Sequence, residues 1–317
     1  MRVSRASTVG ASLAAVAAAI VLVSCRRDEP IVPRTTRLDV NQLSPEPGQI
    51  VMPLRAGSVR FAAIGDSGRG DEPQTQVARQ MVAWRERFPF EFVLMLGDNI
   101  YGPHTPDDYR RKFDEPYRDL LQAGVTFHAA IGNHDEPGSL NYAPFNMDGQ
   151  RYYTFRKGEG PLGGLTGAGI RFFALDSRSF DTDQIAWLRR ELEESRSAWK
   201  IAYFHHPLYT SGRYQAGART LRRAIERPLV EGDVDVVLSG HEHFYERIQP
   251  QNGVVYFVSG AAGSLRPDDI QRTPLTAVGF DDDYHFVMFE VTGRELYFQA
   301  VSRAGKTIDA GVIVKPE

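Results

Sequence analysis

Polar side chains able to hold metal ions follow five apolar runs of this 317-residue chain. Five of the eight histidines lie in the turns concerned, so imidazole is concentrated where the carboxylates are. Carboxylate, amide, phenol and imidazole donors without cysteine suit iron, zinc or manganese better than a thiolate-bound structural zinc. The pattern predicts a site for two cations, which the two oxygens of Asp98 can bridge. The turns are Gly65-Asp66-Ser67-Gly68, Gly97-Asp98-Asn99-Ile100-Tyr101, Gly132-Asn133-His134-Asp135, His205-His206-Pro207 and Gly240-His241-Glu242-His243.

Each turn is weak evidence when it is taken alone, because Gly-Asp and Gly-Asn are ordinary turn sequences and a strand that ends in one needs no metal. The ordered set of five is much more specific. Glycine before a ligand also lets the backbone turn sharply and approach a bound ion closely. The repetition therefore favours a metal site over five unrelated turns.

The apolar runs are predicted strands, because they are short, rich in Val, Leu, Ile and Phe, and bounded by turn residues. Gln76–Phe88 and Thr182–Ser195 carry helical apolar stripes, and Pro116 is expected to interrupt any helix through Asp107–Ala123. Strands alternating with helices, then a strand-rich C-terminal third, predict an α/β fold: a layered β-sandwich of two mixed sheets flanked by helices. The strands are Val59–Ile64, Phe90–Leu96, Thr126–Ile131, Ile170–Leu175, Trp199–Phe204, Val234–Leu238, Val254–Val258, His285–Val291 and Leu296–Val301.

This architecture explains how turns far apart in the chain can form one site. In open α/β sheets, ligands bind beyond the carboxyl ends of the strands, because the loops converge at that edge. All five turns follow the carboxyl end of a predicted strand. We therefore expect their side chains to meet at one edge of the fold.

Residues 1–24 are predicted to be a lipoprotein signal peptide rather than part of the fold. Arg2 and Arg5 form a basic start, and the apolar stretch from Ala11 to Val23 is too short for a comfortable membrane span. The stretch ends in Leu22-Val23-Ser24-Cys25, which resembles the bacterial lipoprotein cleavage box, and Cys25 is the only cysteine. The alternative is an ordinary signal peptide or an uncleaved anchor with a stray cysteine. Either way, the protein is expected to leave the cytoplasm.

Residues 25–57 are predicted to be a tether and residues 58–317 a single catalytic domain. The tether contains five prolines and little apolar periodicity. A lipid on Cys25 would attach the protein to the bacterial cell envelope, facing the periplasm or exposed at the surface. In the lipoproteins that this segment resembles, a residue such as Arg26 after the cysteine usually accompanies the outer membrane.

Charge excludes one class of partner. Removal of residues 1–24 takes away two arginines, so 35 basic residues face 40 acidic ones and the formal charge moves from −3 to −5. No cluster of Lys and Arg is evident beyond scattered arginines on helices. The sequence therefore predicts no nucleic-acid-binding surface.

The ordered turns resemble those of the calcineurin-like metallophosphoesterases, and within them the purple acid phosphatases, including the small tartrate-resistant kind. The resemblance runs from Ser58 to about Ser264 and is weaker after that. Many relatives have a histidine where Gly68 stands, whereas Tyr101 supplies a ligand that those relatives lack. Because a phenolate is a good ligand for ferric iron, the resemblance implies two metal ions. One is Fe(III), and the other is a divalent ion of iron, zinc or manganese.

The resemblance also implies which residues hold each metal and what reaction they support. His205 rather than His206 occupies the strand-end position of the family's ligand. The implied reaction is the hydrolysis of a small phosphate monoester by attack of a metal-bound hydroxide, as in an acid phosphatase. The implied ligands are Asp66, Asp98, Tyr101 and His243 for Fe(III), and Asp98, Asn133, His205 and His241 for the divalent ion.

The catalytic acid stays open between His134 and His206, both of which are expected, with Asn133, to contact the substrate. His134 resembles the family histidine that steadies the phosphate or protonates the leaving alcohol, and Asp135 could orient its ring. The alternative for His134 is a purely structural histidine beside the ligands. His206 is either a substrate contact or packed behind the site. Better-known relatives often place a histidine or acid after the position of Gly212, where this chain has Arg213-Tyr214-Gln215.

Several other polar residues have two possible roles. Arg213 could bind a phosphate oxygen or lie exposed in a loop, and His104 could reach the substrate or face water. Glu242 lies between two predicted ligands and could point into the site or away from it. His128 and His285 lie within predicted strands and are expected to be packing residues.

Three functions remain in contention. The first is an exported acid phosphomonoesterase, and the second is a phosphodiesterase or nucleotidase on the same two-metal site. The third is a non-catalytic metal-binding or scaffold lipoprotein. Tyr101 favours the first over the second, and the third would be expected to have lost ligands, none of which is missing.

Overall fold

The computed structural model describes Ile31, residues 38–158 and residues 169–316. The chain divides after Ile31, and all the described strands and helices belong to the unit Val32–Glu317. The predicted signal peptide, Cys25 and the first part of the predicted tether lie outside the described residues. Among the described helices, none combines the length and the apolar character that a membrane span requires.

The described residues form fourteen strands and five α-helices. The strands are β1 (Asp39–Gln42), β2 (Val59–Ile64), β3 (Phe92–Leu96), β4 (Thr126–Ala130), β5 (Tyr153–Lys157), β6 (Ile170–Ala174), β7 (Trp199–Tyr203), β8 (Val236–Ser239), β9 (Tyr245–Ile248), β10 (Val255–Ser259), β11 (Thr276–Phe280), β12 (His285–Thr292), β13 (Glu295–Ser302) and β14 (Thr307–Val314). The helices are α1 (Glu72–Arg85), α2 (Pro106–Tyr109), α3 (Arg118–Gln122), α4 (Thr182–Glu194) and α5 (Gln215–Glu231).

Two mixed sheets of seven strands each build the domain, in the order β1-β14-β13-β12-β2-β3-β4 and β11-β9-β10-β8-β7-β6-β5. β2, β3 and β4 are parallel, and so are β6, β7, β8 and β10. This topology confirms the predicted sandwich of two mixed sheets flanked by helices. The carboxyl ends of the two parallel sets meet, since Nδ1 of His205, after β7, lies 3.0 Å from the carbonyl oxygen of Leu96, at the end of β3.

The core between the sheets is largely aromatic. Phe61 of β2 stacks on Phe289 of β12 with the ring centres 4.9 Å apart. Phe92 of β3 meets Phe172 of the other sheet edge to face at 5.4 Å, and Phe257 meets Phe289 in the same way at 5.7 Å. All five rings are buried. Edge-to-face contacts between the two sheets fix their relative position, and they therefore also fix the relative positions of the loops at the sheet edges.

Helices α1 and α4 each begin at an aspartate that caps the helix N-terminus. Asp71 accepts a hydrogen bond from the Gln74 backbone at 3.2 Å to start α1, and Asp181 accepts one from the Gln184 backbone at 2.8 Å to start α4. Both helices bury apolar residues of the predicted stripe, Val77 and Met81 in α1 and Leu188 and Leu192 in α4. Around Pro116 the chain forms two short helices joined by a π-helical turn, Arg110–Asp114, as the proline predicts.

The segment predicted as a tether belongs to the folded domain from Leu38 onward, so the boundary expected at Ser58 is corrected. β1 pairs with β14 in antiparallel fashion. Leu38 and Met52 are buried in the core, and the backbone of Leu54 donates to Glu290 at 2.8 Å. β1 exposes most of its side chains because it is an edge strand, so it carries no apolar run for sequence analysis to detect.

Helix α5 is the main element that the sequence analysis missed. Sequence analysis predicts no helix between Trp199–Phe204 and Val234–Leu238, but α5 begins at Gln215 and continues to Glu231. Pro228 lies inside the helix and disguises the pattern, while Ile225 and Leu229 pack inward. The strands β5, β9, β11 and β14 were also missed, because their pairing depends on neighbours far away in the sequence.

Candidate dimetal site

The predicted ligands lie beyond the ends of β2, β3, β4, β7 and β8, and three of them have unusual backbone conformations. Asp66, Asp98 and His241 have φ values of 56°, 52° and 69°. Non-glycine residues rarely adopt positive φ, and holding one there costs on the order of 1–3 kcal/mol. Strain of this kind persists only where surrounding contacts impose it, and it is concentrated at functional sites. Three of the nine described non-glycine residues with positive φ are thus predicted ligands.

One group of donor atoms comes from three separate turns. The Tyr101 hydroxyl donates to Asp66 Oδ1 at 3.1 Å and lies 3.3 Å from His243 Nε2. His243 Nε2 lies 3.3 Å from the same Asp66 oxygen. Burial, together with the charges of Asp66 and Asp98, raises the pKa of the Tyr101 phenol far above its ordinary value. A phenolate at this position therefore requires a cation among the three atoms.

The second group centres on His205, which is fully buried. Its Nδ1 lies 3.0 Å from the Leu96 carbonyl oxygen. Because a carbonyl can only accept, Nδ1 carries the proton and Nε2 of the neutral ring turns its lone pair to the site. His205 Nε2 lies 3.1 Å from Asn133 Oδ1, 3.1 Å from His241 Nδ1 and 3.3 Å from Asp98 Oδ1. The lone pair of Nε2 thus faces the acceptor oxygens of Asn133 and Asp98. Acceptors that face one another need a positive charge between them, so this donor set fits a metal ion.

Asp98 joins the two groups. Candidate ligand atoms of Asp66, Asp98 and His205 lie within 4.8 Å of one another. Burial opposes ionisation of Asp98, but His205 and the His134 backbone N–H, 2.9 Å from Oδ1, hold its pKa well below the usual range. Burial also disfavours charge on His205, yet Asp98 and Asp66 raise the pKa of that imidazole to about 9. When no cation is bound, a proton on His205 Nε2 supplies the positive charge; when a cation is bound, it replaces that proton.

Two glycines make room for this arrangement. At Gly97, with φ of +90°, a Cβ atom would lie 2.6 Å from His205 Nδ1. At Gly132 a Cβ atom would lie 2.2 Å from Asp98 Oδ1 and 2.4 Å from the Asp98 backbone nitrogen. Any side chain at these positions would displace a predicted ligand. Glycine is therefore needed at both positions because a larger residue would collide with a ligand, and at Gly97 also because φ is positive.

Asp135 does not orient the His134 ring, which corrects that expectation. Its buried carboxylate accepts from the backbone and side chain of Asn99, from Ile100 N at 3.1 Å and from Gly132 N at 2.8 Å. Burial and the charge of Asp98 raise the pKa of Asp135 to about 7. Asp135 therefore ties the turn after β3 to the turn after β4.

His134 and His206, the two predicted catalytic histidines, differ in exposure and support. The His134 side chain is 51% exposed, and its Nε2 lies 3.9 Å from Asp98 Oδ2. His206 is held by Ser177, whose Oγ accepts from the His206 backbone and lies 2.9 Å from its Nδ1. The His206 ring lies 4.4 Å from that of His241, so it borders the second donor group.

Ser177 contacts a predicted catalytic histidine, and sequence analysis missed it although a signal was present. β6 ends in Asp176-Ser177-Arg178, so it follows the same pattern of an apolar strand and a polar turn. The turn lacks glycine and histidine, so it matches the other five only in part. Its hydrogen bonds to His206 place it in the supporting structure of the site.

The structure settles the roles left open for Glu242 and Arg213. Glu242 points away from the donor groups and accepts from Thr210 Oγ1 and from the Tyr214 backbone at 3.1 and 3.0 Å. Burial raises the pKa of Glu242 to about 7. Arg213 is half exposed and pairs with Asp269 at 3.0 Å.

The remaining histidines are packing residues. His104 neither faces water nor reaches the donor groups: its buried ring packs against Tyr109, with the centres 5.9 Å apart, and accepts from the Glu136 backbone at 3.3 Å. His128 stacks on Phe155 at 4.0 Å. His285 is buried beside the Ser259 hydroxyl, as expected for a strand residue that packs in the core.

Comparisons with known proteins agree with this geometry. The calcineurin-like phosphoesterase family matches residues 59–245. Tartrate-resistant acid phosphatase type 5 of Rattus norvegicus is 24% identical over 297 residues, which cover 80% of this chain and 89% of that protein. The Fe(3+)-Zn(2+) purple acid phosphatase 12 of Arabidopsis thaliana is 30% identical over 235 residues, covering 68% of this chain and 48% of that protein.

Solved structures share the fold. GAP50, described as the anchor in the inner membrane complex of Plasmodium, superposes with a TM-score of 0.71 at 18% identity. The match covers 82% of this chain and 90% of that one. At this identity the likeness concerns the fold alone, and a fold can host different functions. The donor groups, rather than the architecture, therefore carry the functional argument.

Proposed function

The chain belongs to the calcineurin-like phosphoesterase family, and on that premise we propose that it hydrolyses phosphate monoesters as a purple acid phosphatase-like enzyme. The observation that carries the proposal is the approach of Tyr101 Oη, Asp66 Oδ1 and His243 Nε2 to within 3.1–3.3 Å of one another. A buried tyrosine among these donors favours Fe(III), because phenolate is an anionic oxygen ligand that iron sites in proteins use.

The residues present would hold two metals in the manner that the resemblance implies. Asp66, Tyr101 and His243 would hold Fe(III), while Asn133, His205 and His241 would hold a divalent iron, zinc or manganese ion. Asp98 would be shared. When bound, such a pair activates a water, binds a phosphate oxygen and offsets the charge that develops during in-line displacement. The chain's own contribution is to hold the ligands rigidly and to handle the proton of the leaving alcohol.

His134 is the residue suited to protonate the leaving group. Its ring is half exposed, borders Tyr101 at 4.6 Å between centres, and is anchored through its backbone N–H to Asp98. An imidazole on the solvent side of the site can take a proton from water and deliver it to an alcohol oxygen. The accessible ring is what distinguishes His134 from the buried histidines around it.

His206 is suited to bind the substrate rather than to supply a proton. The Ser177 hydroxyl oxygen accepts from the His206 backbone and can donate its own proton to Nδ1, which leaves the N–H of the neutral ring on Nε2. Burial, and then the charge of His205, lower the pKa of His206 to about 3. A neutral imidazole donates a hydrogen bond but is a poor acid, so His206 would contact a phosphate oxygen.

The experiment that tests the proposal compares the release of nitrophenol from 4-nitrophenyl phosphate and from bis(4-nitrophenyl) phosphate. The assay covers acidic to neutral conditions, from about pH 4.5 to about pH 7.5. The full chain, loaded with iron and zinc, is expected to prefer the monoester, and the isosteric variant Asp98→Asn to lose that turnover. Preference for the diester would instead support the phosphodiesterase alternative. No turnover of either ester would support a binding or scaffold role.

We also propose that the protein is exported and anchored through a lipid on Cys25. The supporting features are the basic start, the apolar stretch and the single cysteine of the sequence. With the folded domain beginning at Leu38, residues 26–37 would lie between the lipid and the domain. The active site would then act on small phosphate esters outside the cytoplasm, at the cell envelope.

A further inference from the structure

Arg69 lies at the rim of the first donor group. Its guanidinium carbon stands 3.9 Å from the centre of the Tyr101 ring, and its Nε donates to Ser264 Oγ at 2.8 Å. Asp71, the acid nearest to it in sequence, caps helix α1 instead. Arg69 is exposed, and among the described residues it forms no ion pair. Its charge is thus held in place by an aromatic face and a hydroxyl, neither of which neutralises it.

Arg266 lies at the rim of the second donor group. Its Nη1 donates to the His241 carbonyl at 3.4 Å, and its guanidinium carbon stands 5.5 Å from the centre of the Tyr214 ring. It too lacks an ion-pair partner in the part of the chain that the structure describes. The Arg266 backbone donates to the His243 carbonyl at 3.1 Å, and Ser264, which binds Arg69, is two residues earlier. The two arginines therefore flank the same turn, Gly240–His243.

Neighbouring arginines are different. Arg178 is paired with Asp176 at 2.9 Å, and Arg213 is paired with Asp269 at 3.0 Å. An arginine whose charge is already matched by a carboxylate has little to gain from a second anion. Arg69 and Arg266 have no carboxylate at ion-pair distance among the described residues, and each lies against an aromatic ring beside the donor groups. Such guanidinium groups are preorganised for an anionic ligand.

We propose that Arg69 and Arg266 form a distal phosphate subsite, so that the preferred substrates are small bisphosphates in which one phosphate reacts and the other binds the arginines. The inference rests on the proposed phosphatase function. Guanidinium groups match phosphate oxygens with two parallel hydrogen bonds, which makes arginine the side chain suited to such a subsite. Each arginine touches a predicted metal ligand, Tyr101 or His241, so one small bisphosphate can extend from the donor groups to the arginines.

The test compares kcat/KM for fructose 1,6-bisphosphate and fructose 6-phosphate in the wild-type full chain and in Arg69→Gln/Arg266→Gln. The ratio of the two values cancels any effect of the substitutions on the reacting phosphate. A bisphosphate has two phosphates that can react, which by itself gives a roughly twofold higher kcat/KM. The wild type is expected to prefer the bisphosphate by well over that factor. The double variant is expected to lose about tenfold of the preference, as for a lost charge-assisted contact. Arg213→Gln, which removes an already paired arginine, is the matched control and is expected to leave the ratio unchanged within about twofold.

A preference that survives in the double variant, or that falls equally in Arg213→Gln, would overturn the subsite. Turnover of 4-nitrophenyl phosphate, measured in the same preparations, reports the phosphatase function separately. If that ester is not turned over, calorimetric binding of fructose 1,6-bisphosphate to the metal-loaded protein decides the matter. Weaker binding in the double variant would support the subsite, and equal binding would refute it.

Discussion

Replacing Gly132 by alanine is expected to displace the carboxylate that joins the two donor groups. The new methyl carbon would lie 2.2 Å from Asp98 Oδ1 and 2.4 Å from the Asp98 backbone nitrogen. Ordinary carbon–oxygen contact begins more than about 1 Å farther out. The carboxylate cannot simply rotate away, because Oδ1 accepts from the His134 backbone at 2.9 Å. The turn after β3 must therefore move.

The expected size of the effect follows from that movement. Overpacking of this kind costs about 1–3 kcal/mol of stability, and a displacement of about 1 Å at a reacting centre can lower the rate on the order of a hundredfold. We therefore expect Gly132→Ala to fold, to unfold at a temperature lower by several degrees, and to lose most of its turnover of 4-nitrophenyl phosphate. Elemental analysis should show fewer than two metals per chain.

Gly138→Ala is the matched control, because a Cβ atom there would meet nothing within 4 Å and the position lies in the following turn, Pro137–Asn141. It is expected to behave as the wild type in all three measurements. Turnover of Gly132→Ala within about threefold of the wild type, with both metals bound, would show that the position of Asp98 is not what this geometry indicates.

Three further predictions concern colour, anchoring and acid stability. Tyr101→Phe should abolish the visible ferric-phenolate band of the iron-loaded protein, and a colourless, fully metallated wild type would contradict the iron assignment. Cys25→Ala should leave the protein unlipidated, so unchanged partitioning into the detergent phase would remove the lipoprotein interpretation. Burial lowers the pKa of His285 to about 3. The unfolded chain therefore binds a proton below about pH 6.5 that the folded chain excludes, and stability falls as pH drops from there towards about 3. The loss between pH 7.5 and 5.5 in urea unfolding should be smaller by about 1.4 kcal/mol in His285→Gln, and an unchanged slope would show that His285 does not contribute.

The tertiary structure altered the sequence-based account where a role depended on distant contacts. Asp135 was assigned to the His134 ring on adjacency, yet it accepts hydrogen bonds from Asn99 and Ile100 on another turn. Glu242 stands between two predicted ligands in the chain, and its carboxylate nevertheless turns to Tyr214. In both cases neighbours in sequence were poor guides, because the backbone at these turns is strongly curved and successive side chains diverge.

The amino-acid sequence alone determined the nine apolar strands, the sandwich of two mixed sheets and the seven side chains gathered at its edge. These features are local: an apolar run followed by glycine and a polar donor is written in consecutive residues. The tertiary structure was needed to show which donor atoms face one another, as with Asn133 and His205, and which arginines have no carboxylate at ion-pair distance. It also decided that β1 extends the sheet and that α5 follows the site. Such outcomes depend on strand order and loop closure, which bring together residues separated by long stretches of chain, and no short stretch of sequence carries that information.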